Sequence, residues 1–233
     1  VHSRRLRRRL FFWRTLAIAT LVAVVVWAVQ HYTAGDLRQL GRAGYVARIS
    51  VSGVIVEDRD LLERIQDLAS DPAAKAILVD IDSPGGTVVG GESLYEALRA
   101  ASAEKPVVAV MGTTAASAAY MVAIGTDRIF AHSGTVTGSV GVLLQTAQVT
   151  DLLRSIGVTP ISIKSSPLKA VPSPVEDLTP AGREAAQEVV DAMYRMFVDM
   201  VGERRGLSGD RLASVTDGRI FTGRQAMDLG LVE

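Results

Sequence analysis

Apolar and polar positions alternate along this chain in three different rhythms. Leu10 to Val29 is a run of twenty residues, apolar except for Arg14, Thr15 and Thr20. At ~1.5 Å per helical residue, such a run matches the hydrocarbon thickness of a bilayer. Trp13 and Trp27 fall near its two ends, where Arg14 can reach back to headgroups. From Tyr45 the rhythm changes to alternating strands and helices. Val46 to Val56 reads as a strand, and Asp60 to Ala69 places Leu61, Leu62, Ile65 and Leu68 on one helical face. Ala76 to Ile81 is continuously apolar, as a strand covered on both faces would be. Asp82 to Gly86 then signals a turn, and Val88 to Ala100 a helix with Leu94, Ala97 and Leu98 inward.

The same alternation continues through Pro106 to Met111 as strand and Ala118 to Ile124 as helix, with Gly112 to Ser117 as the turn between them. Short strands are expected at Arg128 to Ala131 and Val140 to Leu144, a helix at Val149 to Ile156, and a closing strand at Ile161 to Ile163. Lys164 to Asp177 is a loop rich in serine and proline. A long helix follows, with Thr179 as N-cap, Pro180 at N1 and Gly206 as its stop. Its apolar face runs through Val189, Val190, Met193, Met196, Phe197, Met200 and Val201, a pattern of core or subunit contact. Ser208 to Val215 reads as a helix, Gly218 to Phe221 as a strand and Gly223 to Leu229 as a helix. Repeated strand-helix units imply right-handed crossovers in a layered α/β fold.

Composition refines this plan. The chain has 233 residues with a formal net charge of zero, but six arginines crowd the first 14 positions without an acid, so the rest is net acidic. That cluster predicts a cytoplasmic N-terminus, with everything after His31 on the other side of the membrane. We expect a basic segment at 1–9, a retained anchor at 10–29, a spacer at 30–44 and one globular domain at 45–233. A nucleic-acid partner is not expected. Cysteine is absent, which excludes disulfides, thiolate catalysis and cysteine-ligated metal.

Candidate chemistry centres on Ser117, where a buried strand meets a helix amid small residues. The first helical turn offers free N–H groups and a positive dipole end there. A tight small-residue packing face would have the same composition. A serine nucleophile needs a base. His2 and His31 flank the predicted anchor, and His132 reads as an ordinary loop residue. Lysine remains, because desolvation can lower its pKa towards neutrality whereas arginine stays charged. Only four lysines are present, and Lys75 and Lys105 sit at the wrong ends of their strands, leaving Lys164 and Lys169. Gly85 and Gly86 end a buried strand, as Ser117 does; their N–H groups, with that of Ala118, could hold an oxyanion.

Taken in order, SPGG, MGTTAASAAY, TVTGSVGV, IKSSPLKAVPSP and TDGRIFTGRQAMDLGLV resemble the signal peptide peptidase A family, the S49 serine peptidases. The likeness runs from about Val46 to the end. It implies a Clp peptidase/crotonase-like fold and a Ser-Lys dyad. By that resemblance Ser117 is the nucleophile, Lys169 the general base, Ser139 the residue that orients the lysine, and Gly86 N–H part of the oxyanion hole; Lys164 falls outside the matching position. Ala118 and Ala119 replace glycines common in the family, and Ala170 replaces an acid. The resemblance further implies a homo-oligomer with sites near subunit boundaries. Its setting would be the bacterial inner membrane, with the peptidase domain extracytoplasmic, cleaved signal peptides as substrates, and no cofactor or metal. Two other classes fit the sequence: a crotonase-like acyl-transfer enzyme and a non-catalytic membrane-anchored scaffold.

Overall fold

The computed structural model describes residues 2–31 and 44–233, with side chains at 13–27 and 44–233. It divides into two units, 1–45 and 46–233. The first unit contains helix α1 (His2–His31), which covers the predicted anchor. Its described side chains, from Trp13 to Trp27, are exposed. Among the described residues no helix is long and apolar enough to cross a membrane. Part of the 10–29 segment, and nearly all of the 30–44 spacer, lie outside the residues whose side chains are described.

The second unit is a mixed sheet covered by helices. Its strands are β1 (Tyr45–Ile55), β2 (Ala74–Gly86), β3 (Val107–Ala116), β4 (Arg128–Ala131), β5 (Val136–Gly138) and β6 (Ile220–Thr222), in the order β1-β2-β3-β5-β6 with β4 beside β3. β3 pairs in parallel with β2, β4 and β5, while β5 and β6 are antiparallel. The helices are α2 (Arg59–Ser70), α3 (Val88–Glu104), α4 (Ala118–Ile124), α5 (Thr150–Ser155), α6 (Pro180–Arg205), α7 (Gly209–Val215) and α8 (Gly223–Asp228). Asp58 caps α2, Thr87 caps α3 and Thr179 caps α6 through side-chain oxygens that accept first-turn N–H groups. Gly206 ends α6 in the left-handed region.

The core lies where α3 and α4 pack on β2 and β3. Ile77, Val79 and Ile81 of β2, Val107, Ala109 and Met111 of β3, and every residue of α4 are buried. The small residues allow close packing: a Cβ on Gly91 of α3 would come within 3.1 Å of both Ala118 Cβ and Met121 Sδ. A buried Tyr120 hydroxyl donates to Leu231 O at 2.9 Å, tying α4 to the segment after α8. Burial holds that phenol well above its usual range, with Arg205 opposing and Glu233 reinforcing the shift.

Four expected boundaries differ. Asp82 to Gly86 is not a turn but the end of β2, which passes an irregularity between Ile81 and Ser83 and keeps pairing with β3. Likewise Gly112 to Ala116 continues β3, because Thr114, Ala115 and Ala116 find partners in β5. No strand forms at Val140 to Leu144: the strand lies earlier, at β5, and positive φ at Gly138 (79°) and Ser139 (52°) turns the chain out of the sheet. Ile161 to Ile163 is irregular too. Ile161 is 85% and Ile163 98% exposed, so their apolar character does not mark a place in this sheet.

Candidate active site

Ser117 occupies the junction between β3 and α4 with φ 56° and ψ −124°, outside the regions that non-glycine residues prefer. Holding such a conformation costs about 1–3 kcal/mol, and the surroundings must enforce it. Three contacts do so. Ser117 N–H donates to Gly138 O at 2.9 Å, and Ser117 O accepts from Tyr120 and Met121 N–H at 2.9 and 3.0 Å. On the third side Gly85, at φ 111°, approaches so closely that a Cβ there would lie 2.9 Å from both Ala116 O and Ser117 Cβ. The result fixes the backbone and leaves the side chain free: the Ser117 hydroxyl makes no capping hydrogen bond.

A cavity of about 500 Å³ opens over this junction and is lined by Gly86, Ser117, Ala118 and Ser139 together with an apolar floor. Four of the five site residues expected from the sequence therefore share one space. Gly86 is held there by β1, since any Cβ would fall 1.9 Å from Ile55 O. Ser139 follows Gly138, the acceptor of the Ser117 N–H, and its own N–H donates to Arg219 O at 2.8 Å. The two serines are thus linked through adjacent backbone groups. Among the described residues no charged side chain lines the cavity.

Lys169 is the exception. It is exposed in a turn at 167–170, where its N–H donates to Ser166 O at 3.1 Å, and it does not line the cavity. The other lysines are engaged elsewhere. Lys164 pairs with Glu176, whose carboxyl is held below its usual range by hydrogen bonds from Lys164 and Ser162. Lys105 donates to Leu68 O and Asp71 O, and Lys75 to Pro72 O. His132 is exposed in its loop and lies outside the cavity. Sequence reading missed the cavity floor, made by Met121 of α4, Phe197 of α6 and the Val142–Leu143 wall. The apolar periodicity of α4 and α6 marks these residues as inward but does not separate a core position from a cavity position.

The family model for peptidase family S49 matches residues 99–233, a stretch that contains Ser117, Ser139 and Lys169. The chain belongs to peptidase family S49. This serine peptidase is 39% identical over 189 residues to a Synechocystis sp. protein that carries a protease name, covering 81% of this chain and 68% of that relative. It is 31% identical over 202 residues to an Enterococcus faecium protein named as signal peptide peptidase SppA, covering 81% of this chain and 59% of the relative. The second relative is thus matched over little more than half its length. Among solved structures, a ClpP1 variant from Listeria monocytogenes superposes with a TM-score of 0.51 at 18% identity, covering 79% of this chain and 88% of its own. That likeness concerns the α/β fold, and it agrees with the Clp peptidase-like architecture expected for an S49 chain.

Proposed function

We propose that this S49 chain is a membrane-anchored endopeptidase in which Ser117 attacks the peptide carbonyl and Lys169 of a neighbouring copy acts as its base. The observation that carries the reading is the cavity itself: a serine with a free hydroxyl and an enforced backbone, facing a second serine and two candidate N–H donors over an apolar floor. Lysine takes the Ser117 proton as Oγ bonds to the carbonyl carbon. The oxyanion is held by the N–H groups of Gly86 and Ala118. The protonated amine then gives its proton to the leaving nitrogen, the C–N bond breaks, and water releases the acyl group from Ser117. Ser139, one backbone link from Ser117, orients the incoming amine.

The position of Lys169 supports the two-copy arrangement. Its turn is exposed, and the residues before it carry large apolar side chains in solvent, including Leu152, Ile156, Ile161 and Ile163. Exposed apolar side chains concentrated in one stretch of chain fit contact with another subunit. The apolar floor suits extended apolar peptides, and cleaved signal peptides are the class we assign. Residues 10–29 would anchor the enzyme in the bacterial inner membrane, with the peptidase domain outside. Retention of the full chain in membranes after carbonate extraction is expected, and its release would refute the anchor.

Labelling of the full chain in detergent with a fluorophosphonate tests the chemistry. Labelling is expected at Ser117 and absent from Ser117→Ala and Lys169→Ala. Mixed assemblies of these two variants should regain peptidase activity, because some sites receive an intact serine and an intact lysine. Full activity in Lys169→Ala would sink the base assignment; no recovery on mixing would place both groups in one copy.

A further inference from the structure

A second cavity, of about 480 Å³, opens between residues 143–146 and the first turns of α6, and Leu143 lines both this space and the cavity over Ser117. Its walls are apolar at Leu144, Pro172 and Leu178 and polar at Gln145, Thr146 and Gln187, and among the described residues its only ionisable lining residue is the exposed Arg183. The Arg183 backbone N–H donates to Thr179 O in the first turn of α6, whereas its guanidinium has no ion pair or hydrogen bond among the described residues. The carboxylates of the preceding loop are already engaged. Asp177 accepts from Gln148 and Thr150, and Glu176 pairs with Lys164.

An exposed guanidinium without a partner, at the side of a cavity with apolar wall residues, suits an anion that carries an apolar body, because a planar carboxylate can accept two of its N–H groups while the body covers the apolar part of the wall. The shared Leu143 wall places this cation beside the space where a peptide would be cut. We propose that the second cavity holds the C-terminal carboxylate of the peptide substrate, with Arg183 as its partner and the apolar walls around the last side chains. This rests on the peptidase reading above and adds the feature by which substrates are chosen. A free carboxylate lies on the leaving-group side of the cut, and it is supplied by an earlier endoproteolytic cleavage or by a chain's own C-terminus. Intact chains that continue past this point lack it, so the site favours fragments over uncut precursors.

The test reads binding without turnover. The full chain carrying Ser117→Ala, in detergent micelles, is titrated against a fluorescein-labelled apolar octapeptide with either a free carboxyl end or an amide end, by fluorescence anisotropy. The acid form is expected to bind about two- to fivefold more tightly, the range for an exposed charge pair. Adding Arg183→Gln removes that preference and leaves amide binding unchanged, and Arg183→Lys keeps part of it. Equal binding of both forms, or a preference that survives Arg183→Gln, overturns the proposal. So does a change in assembly mass on Arg183→Gln by light scattering, which would make the cavity a contact between copies. Failure of the peptidase reading would appear separately, as absent fluorophosphonate labelling of the unaltered chain.

Discussion

The strain at Ser117 can be measured by removing its cause. Ser117→Ala and Ser117→Gly both delete the hydroxyl, but only glycine is free at φ 56°. Relief of the positive-φ conformation returns about 1–3 kcal/mol. Against this, glycine gives the unfolded chain extra freedom worth about 0.4–1 kcal/mol. The difference leaves Ser117→Gly more stable than Ser117→Ala by roughly 0.5–2 kcal/mol. For a domain of this size each kcal/mol moves Tm by about 2–4 °C, so the expected separation is a few degrees. Thermal unfolding of both variants at one protein concentration, in one detergent, reads it directly, and the matched concentration holds any assembly contribution fixed. A Tm for Ser117→Gly at or below that of Ser117→Ala would refute the claim that this backbone is strained. The fold would then hold the serine without cost.

Three further outcomes are expected. Gly86→Ala must displace Ile55, whose carbonyl oxygen would be 1.9 Å from the new Cβ, so it should lower stability by about 1–3 kcal/mol in urea unfolding and abolish fluorophosphonate labelling; a labelled variant of unchanged stability would refute the close β1 contact. Tyr120→Phe leaves Leu231 O without its buried donor and should cost about 1–3 kcal/mol while peptidase activity per folded molecule is unchanged. Glu176 has a folded pKa below its unfolded value, so its stabilising contribution is complete above the usual carboxylate range and is lost as pH falls through the lowered value. Glu176→Gln should therefore flatten the acid side of a Tm-against-pH curve, and an unaltered slope would show that the pairing with Lys164 is not linked to folding.

Much of the architecture was legible because local signals and burial agree. The Thr179-Pro180 start and Gly206 stop of α6, and the full span of α4, follow from caps and apolar runs. Strand ends were less legible. Glycine and proline after Ile81 signal a turn in isolation, yet β2 runs on to Gly86 because β1 and β3 flank it, a fact of pairing that spacing along one strand does not contain. The reverse holds at Ile161 to Ile163, where two isoleucines on either side of Ser162 form no strand. At the site, Ser117, Ser139, Gly86 and Ala118 converge because each lies within two residues of the end of a sheet strand. Lys169 belongs to a loop, and no rule of strand order says what lies against it. Arg183 was invisible for another reason: an exposed arginine in the first turn of a helix reads as an ordinary solvated residue, and only the distant segment 143–146 makes it part of a cavity.

The bond from Tyr120 to Leu231 joins residues 111 positions apart, and Tyr120 stands three residues after Ser117. A ribosome adding about 5–20 residues per second needs roughly 6–22 s to make that stretch. Throughout that interval the helix behind the nucleophile lacks its final anchor. The packing of α4 is therefore completed only after Leu231 has been synthesised, so this part of the domain closes as one unit rather than segment by segment as the chain emerges.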